Sequence, residues 1–443
     1  MSTITIQKSI EISGSYDAVI CGGGPAGFIS AIAAARSGAK TALIERYGFL
    51  GGMPTAGLVA PISEFMHNGE LVIGGIPWEF IKKLEADNGA LIEMPTGNVS
   101  YDPEKYKLRA QRMLLEAGVD LYLHSYISGC EVQGDTITHI VFETKDGTKA
   151  LEARYVADCT GDGDIAFLAG IPLQTRSAEL QPATLYFCLG NVDTDNVDKI
   201  HHEMQNVNYH MEPFQEKLRE IAKKENVPNF GGPWMSWMMH KGMVLVNMTR
   251  MQANMVDPYD QTAAECKLRE DVHRFVEILK THFDQFKDTI LISTATQVGI
   301  RETRRIRGMH ILTSEEYRRA YHFHDAIGRG AHPIDIHASG NNEQKCEFLA
   351  KAAYIPYRSL ITDSFSNYIA AGRCFSADRE ASASARVQGS VMSMGQAAGE
   401  AIAICSTQNI SLQEIDIEVL RSRLIRIGAN ILQSCLTISS LLK

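Results

Sequence analysis

A short arginine-rich segment carries the side chains best suited to bind an anionic group. It consists of Arg301, Glu302, Thr303, Arg304 and Arg305. In an extended chain, neighbouring side chains alternate between two faces, so Arg301 and Arg304 would point in opposite directions. A guanidinium makes forked hydrogen bonds to carboxylates, and we take Arg301 and Arg304 as candidate catalytic residues. One would contact a ligand and the other would pair with an acid. An ion-paired segment that only braces two domains is an equal alternative.

Four histidines and two aspartates lie close together between residues 322 and 337. His332 and His337 are candidate proton donors or acceptors, because an imidazole titrates near neutral pH. The spacing within this group is irregular and matches no standard pattern of metal ligands. The sequence therefore predicts no metal site.

A glycine-rich turn follows the first apolar segment of the chain. Residues 16–21 are apolar and β-branched, residues 22–27 read Gly-Gly-Gly-Pro-Ala-Gly, and residues 28–37 are rich in small side chains. A second apolar run, residues 41–44, ends at Glu45. This order of strand, turn, helix, strand and acid is typical of a dinucleotide-binding unit, in which a helix N-terminus faces the pyrophosphate.

Each residue of the turn has a physical task. Gly22 permits the tight bend, Gly24 lets the pyrophosphate approach the backbone, and Gly27 lets the helix pack closely. Glu45 is placed to accept hydrogen bonds from the adenosine ribose, and its charge disfavours the 2′-phosphate of NADP. A similar turn at residues 161–166 lacks a matching helix, strand and acid after it. We therefore expect a single dinucleotide domain.

Further segments resemble the FAD-dependent oxidoreductase family, which is distantly akin to the fumarate reductase and succinate dehydrogenase flavoproteins. They are GGMPTAG at residues 51–57, YVADCTGDGD at 155–164 and the run at 367–399. The most specific segment is VGIRETRRIRGMHILT at residues 298–313. The resemblance covers the chain from about residue 16 to about residue 430.

The resemblance implies where FAD would lie. The loop at 51–57 would pack against the isoalloxazine, Asp378 would bind the ribityl chain, and a helix starting near 389–392 would face N1 and O2 of the flavin. The loop after Glu45 lacks the histidine that tethers FAD in succinate dehydrogenases, so we expect non-covalent binding. The predicted FAD-binding residues are Gly22, Gly24, Pro25, Ala26, Gly27, Glu45, Arg46, Gly51, Gly52, Met53, Thr55, Ile127, Thr160, Gly161, Asp162, Gly372, Asp378, Ser390 and Met392.

The order of the predicted strands and helices that carry these residues indicates an α/β protein. We expect a Rossmann-like FAD-binding domain of the glutathione-reductase type, with three β/β/α layers and an inserted α+β substrate or cap domain. The FAD domain would comprise residues 1–172 and 367–443, the latter with a C-terminal helix, and the cap would comprise residues 173–366. Strands are predicted in the cap at 184–189 and 243–248.

Composition excludes several other classes of protein. The 443 residues are 45% hydrophobic and 21% charged, with a net charge of -9. No basic stripe is visible, so a nucleic-acid partner is not expected. No apolar run reaches the roughly 18–20 residues of a membrane span. The nine cysteines are scattered without a Cys-x-x-Cys pair, which favours a reducing, cytoplasmic location.

These features predict an FAD-dependent oxidoreductase. It would transfer a hydride between flavin N5 and a small polar metabolite, such as a carboxylate or a sugar derivative. A flavin-carrying subunit that relays electrons to a partner protein is the alternative. The expected partners are a small-molecule substrate and an electron acceptor, whose identity the sequence leaves open together with the oligomeric state.

Overall fold

The computed structural model describes residues 4, 7, 9–175, 180–195, 212–337 and 344–432. The strands are β1 Glu11–Cys21, β2 Thr41–Ile44, β3 Met66–His67, β4 Glu70–Leu71, β5 Ala90–Glu93, β6 Asn98–Tyr101, β7 Asp120–Tyr122, β8 Tyr126–Gln133, β9 Thr136–Thr144, β10 Gly147–Asp158, β11 Phe187–Gly190, β12 Phe230–Trp237, β13 Val244–Thr249, β14 Ile290–Thr294, β15 Ala326–Gly330, β16 Ile334–His337, β17 Gln344–Glu347, β18 Ala353–Pro356 and β19 Tyr368–Ala370.

The helices follow the same chain order. They are α1 Pro25–Arg36, α2 Met53–Ala56, α3 Ile76–Ala86, α4 Pro103–Glu116, α5 Asp164–Ala169, α6 Glu212–Ala222, α7 Pro258–His282, α8 Ser314–Arg318, α9 Arg379–Ala385, α10 Gln388–Gln408 and α11 Ile417–Arg426. Two short 3₁₀ turns lie at Asp284–Phe286 and Tyr357–Ser359.

The largest sheet has a parallel part and an antiparallel part. Strands β7, β2, β1, β10 and β19 pair in parallel, in that order. Strands β9 and β8 extend the sheet in the antiparallel sense from the first half of β10. Because β10 is 12 residues long, its start pairs with β9 and its end with β19. One continuous strand thus joins the two parts.

Alternating side chains of β1 build the layers on either side of this sheet. Ala18 and Ile20 pack in the core that contains α1 and α10. Val19 and Cys21 pack on the opposite face, against apolar side chains of β8 and β9. Both faces of the strand are buried, as in parallel sheets that are covered on two sides. The resulting α, β and β layers confirm the predicted α/β, Rossmann-like class.

Helix α10 lies directly on α1, backbone against backbone. A Cβ atom on Gly395 would be 2.1 Å from the Ala26 carbonyl oxygen, and one on Gly399 would be 2.2 Å from that of Ser30. Only glycine permits this approach, which brings the start of α10 close to the glycine-rich turn. A helix from the last quarter of the chain thus packs against the first helix of the fold.

A second, antiparallel sheet carries its own apolar core. Its strand order is β12-β13-β11-β14, and α7 packs on it. The buried apolar side chains of this unit come mainly from residues 183–300. Residues 312–361 contribute instead to the core that contains α1. Helix α7 begins at Pro258 because Asp257 caps it, accepting hydrogen bonds from the Tyr259 and Asp260 amides. The predicted domain limits at residues 172 and 366 stay predictions.

Neither a bilayer-spanning helix nor a metal centre is found in the described ranges. No helix there is long and apolar enough to cross a membrane. No group of three or more His, Cys, Asp or Glu side chains in those ranges is arranged to hold a metal ion.

Candidate active site

The glycine-rich turn is built by close contacts that exclude larger residues. Gly22 has φ +100°, and a Cβ there would lie 2.6 Å from the Cys159 carbonyl oxygen. A Cβ on Gly27 would lie 1.8 Å from the Gly22 carbonyl oxygen. Gly24 differs from both, because a Cβ there would meet no protein atom closer than 4.0 Å and would occupy the open groove.

The start of α1 provides free hydrogen-bond donors beside this open space. The helix begins at Pro25 after Gly24, without a side-chain cap and without an acid in its first turn. Its first amides are therefore available to an anion, which the helix dipole also favours. An open cradle over an uncapped helix N-terminus fits the pyrophosphate of a dinucleotide.

Glu45 lies at the end of β2 and binds the backbone of the turn. Its two carboxylate oxygens accept hydrogen bonds from the Gly23 amide at 2.6 Å and the Tyr47 amide at 2.9 Å. Burial raises the pKa of Glu45, although these backbone donors oppose that rise. Glu45 also borders the groove, where the ribose was expected.

Twelve of the predicted FAD-binding residues line one continuous groove. They are Gly22, Gly24, Pro25, Ala26, Glu45, Arg46, Gly52, Met53, Ile127, Thr160, Gly161 and Gly372. The predicted residues that do not line it are Gly27, Gly51, Thr55, Asp162, Asp378, Ser390 and Met392. Four further residues of the run at 367–399 also border the groove. They are Arg373, Arg386, Gln388 and Val391.

Two acids behind the groove support the turn that follows β10. Asp158 is fully buried and accepts hydrogen bonds from the Thr160 hydroxyl at 2.7 Å and from the Ala166 amide at 3.1 Å. Asp162 pairs with Arg373 at 2.8 Å and accepts a hydrogen bond from Thr303, also at 2.8 Å. Asp162 therefore holds a groove-lining arginine and does not line the groove itself. Asp158 lies in the segment at residues 155–164 but is not among the predicted site residues.

Asp378 does not line the groove, although it was expected to bind the ribityl chain. One of its oxygens caps α9 by accepting a hydrogen bond from the Ala381 amide at 2.8 Å. The other accepts a hydrogen bond from the Ser314 amide at 2.6 Å. Both oxygens are thus used by the backbone. The run at 367–399 does border the groove, where its lining side chains are Arg373, Arg386, Gln388 and Val391.

A larger cavity adjoins the groove and shares four residues with it. Met53, Arg373, Arg386 and Gln388 border both spaces. The cavity encloses about 790 Å³, within the range of small-molecule sites. It lies between the two sheet-bearing units, and Trp234 and Met235 of the second sheet form part of its wall. A molecule in this cavity would lie beside anything bound in the groove.

Arg301 and Arg386 give the cavity a cationic wall. Arg301 donates hydrogen bonds to the Pro182 carbonyl at 2.6 Å and to the Thr184 hydroxyl at 2.7 Å. Within the described ranges, neither arginine has an ion-pair partner. Burial lowers the pKa of Arg301, and burial together with the nearby Arg301 charge lowers that of Arg386 to about 10. An anion would relieve both effects.

Arg304 points away from this cavity. It pairs with Asp164 at 3.0 Å, and its guanidinium lies 4.6 Å from the ring centre of Phe167. The structure thus places Arg301 and Arg304 in different surroundings, one at the cavity and one in an ion pair. Glu302 is paired with a third arginine, Arg305, at 2.9 Å.

Both histidines named from the sequence border the cavity. His337 lies 3.0 Å from Asp335 through Nε2, and its Nδ1 lies 3.3 Å from the guanidinium of Arg250. His332 Nδ1 lies 3.1 Å from the Ser63 hydroxyl. Burial lowers the pKa of His332 to about 4 and that of His337 to about 3, the latter with help from Arg301. Both rings are therefore neutral at pH 7.

Glu64 is a cavity-lining acid that no sequence pattern indicated. No hydrogen bond or ion pair of its carboxyl group is found in the described ranges. Burial raises the pKa of Glu64 to about 7. The residue lies in an irregular segment between α2 and β3, where neither periodicity nor a motif marks it.

The fold and the groove define a dinucleotide-binding protein of the α/β type. The family model described as FAD dependent oxidoreductase matches residues 17–424, and the chain belongs to this family. FAD is its cofactor, as the sequence predicted. When bound, FAD supplies the oxidation–reduction chemistry.

Individual relatives are more distant. Dihydrolipoyl dehydrogenase of Trypanosoma brucei brucei is 48% identical over 46 residues, and that match spans 10% of this chain and 10% of that enzyme. A geranylgeranyl bacteriochlorophyll reductase-like protein from Thermoplasma acidophilum has 12% identity and a TM-score of 0.46, covering 98% of this chain and 96% of that one. A flavoprotein/dehydrogenase from Cytophaga hutchinsonii has 13% identity and a TM-score of 0.47, covering 93% and 86%.

Proposed function

We propose that this FAD-dependent oxidoreductase transfers a hydride between flavin N5 and a small metabolite that carries a carboxylate. The observation that supports this is the cationic wall of a cavity that adjoins the FAD groove. Arg301 and Arg386 border it without an acidic partner in the described ranges. Because a buried charge without a counter-ion is costly, a carboxylate is the ligand that this wall would favour.

The two arginines would have separate tasks. Arg301 is held by Thr184 and the Pro182 carbonyl, so part of its guanidinium fork is already oriented before a ligand arrives. Arg386 borders the groove as well as the cavity and would fix the end of the substrate that lies nearest the cofactor. A ligand held at two points loses rotational freedom, which favours a reactive geometry.

The other walls would orient the substrate and exclude water. Tyr186 and Met235 are buried apolar side chains, and Trp234 adds an aromatic face. The neutral rings of His332 and His337 offer hydrogen-bonding groups without charge. The predicted FAD residues along the groove, from Gly22 to Gly372, would hold the cofactor without a covalent bond. A sugar derivative lacking an acid would form no ion pair with either arginine, and the nearest negative charge would be that of Asp335 in the cavity wall.

Anaerobic bleaching of the yellow holoenzyme by matched pairs of compounds tests this proposal. Each pair consists of a hydroxy or amino acid and its primary amide, at equal concentration. We expect at least one acid to reduce the flavin and its amide to be at least about tenfold slower, since the amide lacks the charge for the guanidinium groups. Equal bleaching by acid and amide would contradict the carboxylate assignment.

Anaerobic reduction of the isolated holoenzyme separates this proposal from the electron-relay alternative. An enzyme that reacts with a metabolite by itself is reduced by that metabolite without another protein. A relay subunit would be reduced only when its protein partner is added.

A further inference from the structure

Three carboxyl groups border the cavity, and two of them are already engaged. Asp335 pairs with His337 and accepts a hydrogen bond from Gln344. Glu93 accepts a hydrogen bond from the Ser100 hydroxyl at 2.9 Å. Glu64 differs, because its carboxyl group has no hydrogen bond or ion pair in the described ranges. It is the cavity acid whose oxygens are available to a ligand.

The histidines are poorly suited to exchange a proton at neutral pH. His337 is engaged at both nitrogens, by Asp335 at one and by Arg250 at the other. The protonated form of each ring is strongly disfavoured by burial, as their lowered pKa values show. A group that must both accept and release a proton at pH 7 works best when its own pKa lies near that pH.

We propose that Glu64 is the acid-base residue that exchanges a proton with the substrate. This inference rests on the proposed function. In the oxidation of a carbinol carbon, the C–H bond breaks as a hydride goes to FAD, and the O–H bond breaks as its proton goes to the Glu64 carboxylate. The carbon–oxygen double bond then forms. Reduction runs in reverse, with protonated Glu64 as the donor.

The surroundings of Glu64 support this role. The titratable side chains near it are Tyr317 and Cys346, with His332 next to it through Ser63. Burial raises the pKa of Tyr317 and of Cys346 to about 12 in each case, so both are neutral at pH 7. No fixed charge therefore locks Glu64 into one protonation state. Its pKa near 7 leaves both forms populated.

Two variants of Glu64 test the proposal through the rate of flavin reduction in a single anaerobic turnover. Glu64→Gln keeps the shape but has no exchangeable acid, and we expect the rate to fall by about 10²–10⁴-fold. Glu64→Asp keeps the acid and should restore part of the rate. In wild type the rate should rise with pH and level off above about 7. A Glu64→Gln variant with the wild-type rate and pH profile would overturn the proposal.

Infrared difference spectroscopy of the holoenzyme gives a readout that needs no turnover. We expect a carboxylic-acid carbonyl band that disappears as the pH rises through about 7 in wild type and that is missing in Glu64→Gln. Glu93→Gln is the matched control, and this band should persist in it. If the same band titrates in Glu64→Gln, the proposal is wrong. If no carboxylate bleaches the flavin, the proposed substrate class fails while the infrared result still decides the protonation of Glu64.

Discussion

Replacing Glu64 with glutamine should stabilise the protein at alkaline pH and change little at acid pH. Burial raises the pKa of Glu64 from its ordinary 4.5 to about 7, so the folded state prefers the neutral acid. Above about pH 4.5 the unfolded chain ionises first, and unfolding then releases a proton. Raising the pH through this window therefore destabilises wild type relative to a variant that carries a neutral side chain.

The expected size of this effect follows from the shift. A rise in pKa from 4.5 to about 7 corresponds to about 3 kcal/mol, since one unit is worth about 1.4 kcal/mol. Glu64 remains partly accessible from the cavity, and solvent screening reduces the figure to about 1–3 kcal/mol. The gain should be complete above about pH 7 and close to zero below about pH 4.5.

Urea unfolding of FAD-saturated protein at about pH 4 and about pH 8 measures this difference. Glu64→Gln should have a higher free energy of unfolding than wild type at the higher pH and a nearly equal one at the lower pH. Glu93→Gln, whose parent carboxyl is bound by Ser100, should show no such gain at high pH. Loss of stability in Glu64→Gln at both pH values would refute the reasoning, because it would mean that the carboxylate is stabilised by its surroundings.

Three further predictions concern the groove and its neighbours. Gly24→Val should purify without flavin colour, because its side chain would fill the open cradle; a variant that retains FAD would contradict the placement of the pyrophosphate. Asp378→Ala should lower the free energy of unfolding by about 1–2 kcal/mol through loss of the α9 cap and leave FAD affinity unchanged; weaker FAD binding at unchanged stability would return Asp378 to the cofactor site. Arg301→Ala should slow flavin reduction at least about tenfold, whereas Arg304→Ala should cost about 1 kcal/mol of stability and leave that rate unchanged. Equal losses of stability without a kinetic defect in Arg301→Ala would make the segment a structural brace.

The cofactor half of the fold was accessible from sequence because its signals are local. Gly22 and Gly27 have a backbone reason to be glycine, Gly24 faces the open groove, and their spacing sets the turn between strand and helix. Strand β2 was predicted with the bounds that the structure has, since the largely apolar run at residues 41–44 stops before Glu45. Short-range patterns of this kind need no knowledge of the rest of the chain.

The substrate side was less accessible because it is assembled from distant segments. Glu64, Arg386 and Trp234 come from distant segments and border the same cavity only in the folded chain. Arg386 lies in the run at 367–399, whereas no local pattern marks Glu64. Asp378 shows the opposite difficulty. The motif indicated a segment that borders the groove, but an aspartate before a helix is also a good N-cap, and the backbone uses both of its oxygens.

Substrate dependence of flavin reduction in wild type and Arg386→Gln tests the central claim most directly. The substrate used is the acid that bleaches the flavin. The rate of flavin reduction is measured against the concentration of this acid and of its amide, both under anaerobic conditions. If Arg386 binds the carboxylate beside the FAD groove, the variant should bind the acid at least about tenfold more weakly and should lose most of the preference for acid over amide. Unchanged affinity and an unchanged preference for the acid would contradict the assignment of this cavity as the carboxylate site.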